Sequence, residues 1–230
     1  MKTIFFDVDD TLYDRSDSFV SAFGEFFAEP VCDAYAAYVT CSKRNNEIFM
    51  AAQRGEITMD EMYIYRYCRG FEDVGVKLTP EEALAFERVY RAYQKAVKCS
   101  PVITQALHEC SREKHLGIIT NGTPLNQREK IAALGIEPYF VPELIIVSGE
   151  VKIDKPDARI FALAEERSGA AKEDLVYIGD SFSFDILPAA KCGWQSVWFN
   201  RRKVTPPEAV PAGCIIVNTE RELAALLAEI

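Results

Sequence analysis

Lys2-Thr3-Ile4-Phe5-Phe6-Asp7-Val8-Asp9-Asp10-Thr11-Leu12 is the stretch on which the reading of this chain turns. Residues 2–6 form a short apolar run of the kind that makes a buried parallel strand. Asp7 and Asp9, one residue apart, are then delivered at the carboxyl end of that strand, where open α/β sheets place their ligand sites. Asp7, Asp9 and Asp10 crowd like charge together, and such crowding persists where a cation, a proton or a catalytic task offsets the repulsion. The stretch alone fits two readings. One is a metal-assisted nucleophile beside an acid/base. The other is an acidic turn, since Asp and Thr are common turn residues.

Working outward, residues from about 17 to 98 read as almost wholly helical. Phe19, Phe23, Phe26 and Phe27 recur at helical spacing. Thr58-Met59-Asp60-Glu61 is a capping box that starts one helix. Thr79-Pro80-Glu81-Glu82 starts another, which runs to about Lys98, where Ser100-Pro101 breaks it. From Pro101 the pattern changes. Strands are expected at 116–120, 144–147, 175–178 and 195–199, with a further one at 214–217. Helices are expected at 126–134, 158–167, 184–192 and 220–228. Strands alternating with helices imply an α/β fold with a doubly wound parallel sheet. The organisation is therefore an α/β core, 1–15 and 99–230, interrupted after its first strand by an all-helical cap, 16–98.

Three more polar clusters follow later strands. Thr120-Asn121-Gly122 offers a hydroxyl and backbone N–H groups at a turn opening a helix, suited to a phosphate oxygen. Asn-Gly is equally the mark of a plain turn. Lys155-Pro156 places a lysine where it can neutralise a phosphoryl group and nearby carboxylates, although Pro156 also suits a helix start. Gly179-Asp180-Ser181-Phe182-Ser183-Phe184-Asp185 brings two carboxylates that suit a hard cation such as Mg2+, with a helix cap as the plainer role for Asp185. Each cluster is a short signal. All four at the ends of successive strands supply nucleophile, acid/base, phosphate cradle, cation and metal ligands, a full set for phosphoryl transfer.

Composition narrows the classes. Hydrophobic residues make up 49% and charged residues 27% of the 230, enough for a sizeable core. A net charge of −9, with no basic run, argues against nucleic-acid polymers and anionic membranes as partners, and leaves a small anionic substrate open. The apolar N-terminal run is cut at Asp7, unlike a signal peptide, and no stretch is long enough to span a bilayer. Seven cysteines, without C-x-x-C spacing, read as reduced core residues of a cytoplasmic protein. His108 and His115, expected in one helix and its end, do not form a histidine metal or triad site. Nothing in the sequence speaks to oligomeric state.

Asp7-Val8-Asp9-Asp10-Thr11-Leu12, Thr120-Asn121, Lys155-Pro156 and Gly179-Asp180…Asp185 resemble the four motifs of the haloacid dehalogenase-like hydrolase superfamily, and the resemblance covers the whole chain. An insertion between the first and second motifs is similar to the subfamily with a type 1 helical cap. Arg54-Gly55-Glu56-Ile57-Thr58 leading to Arg66 also resembles caps of nucleotidase and acylneuraminate-phosphatase-like members. The resemblance implies a magnesium-dependent phosphatase acting on a small phosphorylated metabolite of the nucleoside monophosphate or sugar phosphate class. In that scheme Asp7 becomes an aspartyl-phosphate and Asp9 protonates the leaving oxygen, then activates water. Mg2+ is held by the Asp7 side chain, the Asp9 carbonyl and Asp180. Thr120 and the Asn121 N–H hold phosphoryl oxygens, Lys155 balances charge, and Asp185 orders metal-bound water or Lys155. Asp10 stands where many relatives carry Gly and reads as a turn residue.

Alternatives divide on these residues. Dehalogenation and phosphonate cleavage do not call for Asp9 in this role. A mutase shares every motif. A non-catalytic phosphate-binding module that keeps the fold is the reading from another class, against which intact Asp7, Asp9, Lys155 and Asp180 count. In the cap, Arg44, Arg54, Arg66, Arg69, Tyr63, Tyr65 and Tyr67 are candidates for specificity, with solvated or packing roles as the plainer reading.

Overall fold

The computed structural model describes residues 1–230. Along the chain the elements are β1 (Thr3–Phe6), α1 (Arg15–Phe26), α2 (Ala34–Gln53), α3 (Met59–Glu72), α4 (Pro80–Gln94) and α5 (Pro101–Cys110). Then follow β2 (His115–Thr120), α6 (Pro124–Leu134), β3 (Ile145–Val147), α7 (Ser148–Val151), α8 (Ala158–Ser168) and β4 (Leu175–Gly179). The last elements are α9 (Leu187–Lys191), β5 (Gln195–Phe199), β6 (Ile215–Val217) and α10 (Glu220–Glu229). Two units result, one of Met1–Asp14 with Lys98–Ile230 and one of Arg15–Val97.

The first unit is an α/β domain around a six-stranded sheet of order β3-β2-β1-β4-β5-β6, with every neighbouring pair parallel. From β1 the chain steps outward through β2 and β3, then returns to the other side of β1 with β4 and continues through β5 and β6. The strand order thus reverses between β1 and β4, which makes their carboxyl ends the topological switch point, the standard ligand position of such sheets. Phe6 pairs with Ile118 on one side and Ile178 on the other, so Asp7, Ile119 and Gly179 stand at one level. All residues of β1 and β4 are buried, as a sheet covered on both faces requires. On one face Phe5, Phe161, Tyr177 and Trp194 pack together, with Phe5 and Trp194 ring centres 5.3 Å apart.

The second unit is all-helical. Its core is aromatic: Phe19, Phe23, Tyr38, Tyr67, Phe71, Phe86 and Tyr90. Helices α3 and α4 both open on capping boxes, at Thr58/Glu61 and Thr79/Glu82, which satisfy their orphan amides. Helices α2 and α3 approach so closely that a Cβ on Gly70 would lie 2.5 Å from Cys41 Sγ, and Thr40 Oγ1 donates to the Gly70 carbonyl at 2.7 Å.

Three local expectations change. Helix α4 ends at Gln94 rather than near Lys98, and Val97 beyond it is buried; Ser100 then caps the new helix α5 by accepting from the Ile103 N–H. His115 opens β2 instead of ending a helix. The helix expected over 184–192 is a widened π-turn, Phe182–Ile186, followed by the short α9. The Asp185 carboxylate folds back to accept from the Ser181 N–H, and Pro188 has no N–H to donate to a regular helical ladder. All seven cysteines are free thiols, and no helix is long and apolar enough to cross a membrane.

Candidate active site

The site of the α/β unit is built around Asp7. Its N–H donates to the Ile178 carbonyl at 2.9 Å, which continues the β1–β4 ladder one residue past the strand and fixes the Asp7 side chain at the switch point. Lys155 Nζ donates to Asp7 Oδ1 at 2.7 Å, to Asp185 Oδ1 at 2.6 Å and to the Tyr177 hydroxyl at 2.8 Å. Tyr177 in turn donates to the Ile119 carbonyl at 2.9 Å, so the ammonium has an anchor on β4 as well as two carboxylates. Asp7, Lys155 and Asp185 are 6%, 2% and 1% exposed. At that depth charges persist only when paired.

Burial, which here outweighs the Lys155 ammonium, pushes the Asp7 carboxyl up to about 7, with the negative charges of Asp185 and Asp9 adding to the rise. Burial by itself disfavours a charged Lys155, but Asp185 and Asp7 more than reverse this and hold its ammonium protonated well beyond the ordinary lysine range. Tyr177 is held neutral, its hydroxyl pushed far up by burial.

The loop carrying Lys155 is placed by Asn121. Asn121 Nδ2 donates to the Lys155 carbonyl and Asn121 Oδ1 accepts from the Lys155 N–H, both at 2.8 Å. The peptide bond from Lys155 to Pro156 is cis. Beside Asn121, the Thr120 hydroxyl is buried and has no hydrogen-bond partner, and the Thr11 hydroxyl shares that condition. A buried hydroxyl left unpaired costs free energy, so that of Thr120, at the end of β2 beside Asn121, indicates a place for a ligand's oxygen atom.

Carboxylate oxygens of Asp7, Asp180 and Asp185 all lie within 4.8 Å of one another. Gly179 permits this approach, since a Cβ there would sit 2.5 Å from Asp185 Cγ. Three hard oxygen donors with a surplus of negative charge fit a divalent cation such as Mg2+. The Asp9 carboxylate turns elsewhere: Lys130 Nζ donates to its oxygens at 2.7 and 2.9 Å, Gln127 Nε2 at 3.0 Å, and the Tyr13 hydroxyl also donates to it. Asp10, read as a turn residue, does adopt the left-handed conformation at φ 61°, yet it is buried and accepts from Arg202 Nη2 at 2.7 Å.

The structure therefore brings Asp7, Thr120, Asn121, Lys155, Asp180 and Asp185 together, with Asp9 next along the same loop. Sequence reasoning missed Tyr177, Gln127, Lys130 and Arg202. Only Gln127 and Lys130 left a signal: they are polar residues at i, i+3 on the face of α6 that also carries the buried Ile131 and Leu134.

Among the cap candidates most are engaged within their own unit. Arg44 pairs with Asp73 and Glu47, Arg54 with Glu56, Arg69 with Glu72, and Tyr65 donates to Glu47. Tyr67 is buried and donates to Glu87, which also pairs with Arg66 at 2.9 Å, while Tyr63 lies at the edge of the aromatic core. Arg66 alone of the seven lines a small cavity of the helical unit, together with Arg15, Ser42, Asn45 and Asn46.

Residues 1–193 match the family model described as haloacid dehalogenase-like hydrolase. The chain is 28% identical over 225 residues to the pyrimidine 5'-nucleotidase YjjG of Escherichia coli, covering 97% of this chain and 96% of that protein. It is 30% identical over 208 residues to a glyceraldehyde 3-phosphate phosphatase of Methanothermobacter thermautotrophicus, covering 87% and 86%. With a phosphoserine phosphatase of Thermus thermophilus it shares 36% identity over 132 residues, and there the match spans only 57% of this chain and 51% of the relative. In fold it is similar to the HAD-hydrolase YfnB of Bacillus subtilis, solved with magnesium, at a TM-score of 0.76 and 23% identity over 99% of this chain and 98% of that one.

Proposed function

Because this chain belongs to the haloacid dehalogenase-like hydrolase family, we propose that it is a magnesium-dependent phosphatase that hydrolyses a small phosphomonoester through an aspartyl-phosphate on Asp7. One observation carries the reading: Lys155 Nζ, 2.7 Å from Asp7 and 2.6 Å from Asp185, sits at a carboxylate trio of metal-binding spacing beside the orphaned Thr120 hydroxyl. A weak carboxylate nucleophile meets an anionic phosphate only where positive charge offsets their repulsion. Relatives named for a nucleotide, a triose phosphate and a phosphoamino acid share one chemistry, a phosphate ester on a small molecule.

An Asp7 oxygen attacks phosphorus and the ester P–O bond breaks. The departing oxygen takes a proton from Asp9, since an alkoxide is a poor leaving group. Water then attacks the aspartyl-phosphate and gives its proton back to Asp9, which releases orthophosphate and restores Asp7. Thr120 and the Asn121 N–H hold phosphoryl oxygens throughout. Lys155 keeps Asp7 oriented and its charge balanced. Asp7, Asp180 and the Asp9 carbonyl would hold Mg2+, with Asp185 steadying Lys155, and the cation supplies charge neutralisation at the transferring phosphoryl group.

The test is phosphate release from a panel of nucleoside monophosphates, sugar phosphates and phosphoamino acids, with magnesium and with chelator, using Asp7→Asn as the blank. Release that needs magnesium and is absent in the blank is the expected result. An Asp7→Asn protein as active as the parent would overturn the mechanism. Conversion of a substrate to its phosphate isomer without net release would reassign the site to a mutase.

A further inference from the structure

The donor set on Asp9 goes beyond what neutralising one carboxylate requires. Gln127 and Lys130 project from successive turns of α6 and are only 3% and 8% exposed, although long polar side chains are seldom so buried. Lys130 Nζ spans both oxygens of Asp9, and Gln127 Nε2 adds a bond to Oδ2. The same Gln127 nitrogen donates to the Asn121 carbonyl at 2.7 Å, so both of its partners are acceptors and the amide can face only one way. Its own Oε1 is left buried without a partner. Space for the amide exists because residue 122 is glycine: a Cβ there would stand 2.7 Å from Gln127 Nε2, and Gly122 has φ +145°. A buried lysine, an amide with an orphaned carbonyl and a glycine, which gives up more backbone freedom on folding than any other residue, each lower stability on their own account, and all three bear on the orientation of the Asp9 carboxylate.

We propose that Gln127 and Lys130 are positioning residues for Asp9, holding its carboxylate at the angle from which it exchanges a proton with the ester oxygen. This rests on the phosphatase reading above. Proton transfer requires hydrogen-bond reach at the moment the P–O bond breaks, and a carboxylate free to rotate loses that alignment. Neither residue touches phosphate in this scheme. The effect of Lys130 passes through Asp9, whereas Gln127 also holds the Asn121 carbonyl, so Lys130 is the residue that separates positioning of Asp9 from support of the site.

The experiment compares kcat/KM on a series of aryl phosphates from 4-nitrophenyl to 4-methoxyphenyl phosphate, because this ratio reports the transfer to Asp7 in which the aryl oxygen leaves. Nitrophenolate departs without a proton and methoxyphenolate does not. Lys130→Met is expected to lose about 10- to 100-fold on the methoxyphenyl ester and less than about threefold on the nitrophenyl ester. Gln127→Leu, which removes no charge, should show the same selectivity in weaker form, on top of a loss common to both esters through its bond to the Asn121 carbonyl. In an Asp9→Asn background Lys130→Met should cause no further loss. Equal losses on both esters, or an undiminished Lys130→Met effect in the Asp9→Asn background, would overturn the proposal while leaving the phosphatase intact. An Asp9→Asn enzyme as active as the parent on both esters would instead overturn the acid/base mechanism, and the positioning role with it.

Discussion

Gly179 and Asp185 share space that admits only one side chain: a Cβ on Gly179 would lie 2.5 Å from both Cγ and Oδ2 of Asp185. The last residue of β4 is thus bare so that a carboxylate from the following π-turn can lie against the strand, within reach of Lys155 and Ser181. Gly179→Ala should push Asp185 off this seat. Overpacking of this kind destabilises by about 1–3 kcal/mol, read in urea melts, and phosphate release should fall in step with the displaced carboxylate. A variant with parental stability and parental activity would show that Asp185 does not depend on the gap.

Lys155 is the one cation between Asp7 and Asp185 in the hydrogen-bond network of the site. Lys155→Met should abolish phosphate release and destabilise the α/β unit by about 3–5 kcal/mol, the cost of leaving a buried charge uncompensated. The sign of its pH dependence follows from Asp7. Lys155 opposes the rise in the Asp7 pKa, so its removal makes Asp7 easier to protonate, and a neutral carboxyl needs no partner. The stability deficit against the parent should therefore shrink as pH is lowered from about 9 toward about 7, where the parent's own Asp7 takes up its proton, and level off below that. A deficit that is constant or grows between about pH 9 and about pH 7 would contradict this account.

Asp7 is also the source of a metal-linked pH effect. Its folded pKa of about 7 exceeds the 3.8 of a free side chain. Between those values the cation-free folded state holds a proton that the unfolded chain lacks, so the contribution of this group is present below the lower value and lost as pH rises through the upper one. Magnesium competes with that proton. Its apparent affinity should weaken about tenfold for each pH unit below about 7, and its thermal stabilisation should be larger at about pH 8 than at about pH 5.5. Melting curves with and without magnesium at both values check this, and Asp7→Asn should erase the trend.

Arg202 joins the loop of Asp7 to the end of the segment that leaves it, donating to Asp10 and Asp14 at 2.7 Å each. Asp10 holds a left-handed backbone at φ 61°, a conformation that costs a non-glycine residue about 1 kcal/mol. Arg202→Met should destabilise by about 1–3 kcal/mol, as expected for lost hydrogen bonds to charged groups. Asp10→Gly in that background should recover part of the loss, because glycine accepts this φ and brings no buried carboxylate. A double-mutant cycle in urea measures the coupling; strictly additive effects would show that the pair does not cooperate.

Much of the site lay open in the sequence because its parts are local. A short apolar run ending in acidic or hydroxyl residues reads as a strand with a functional end, and Asp7, Thr120 and Asp180 each stand one to a few residues past such a run. The helical insertion was visible in its capping boxes and its phenylalanine spacing. Periodicity saw less well where polar groups interrupt regular structure. The π-turn at Phe182–Ile186 exists because Asp185 turns inward, and its sequence is as compatible with an ordinary helix. Lys130 and Gln127 were overlooked for a related reason, since on a helix such residues normally face water.

Composition and strand-end motifs were enough to establish a doubly wound α/β core with a helical insertion and to nominate Asp7, Asp9, Thr120, Lys155 and Asp180, because strand and turn preferences are written within a few consecutive residues. Partnership required the folded chain. The β3-β2-β1-β4-β5-β6 order, the Lys155 ammonium bridging residues 148 and 30 positions away, and Arg202 reaching Asp10 across 192 positions all depend on which strands become neighbours. No local preference encodes that choice. It is made by burial of both faces of the sheet, which brings distant side chains to one level at the switch point and leaves each charge there to find its counterpart.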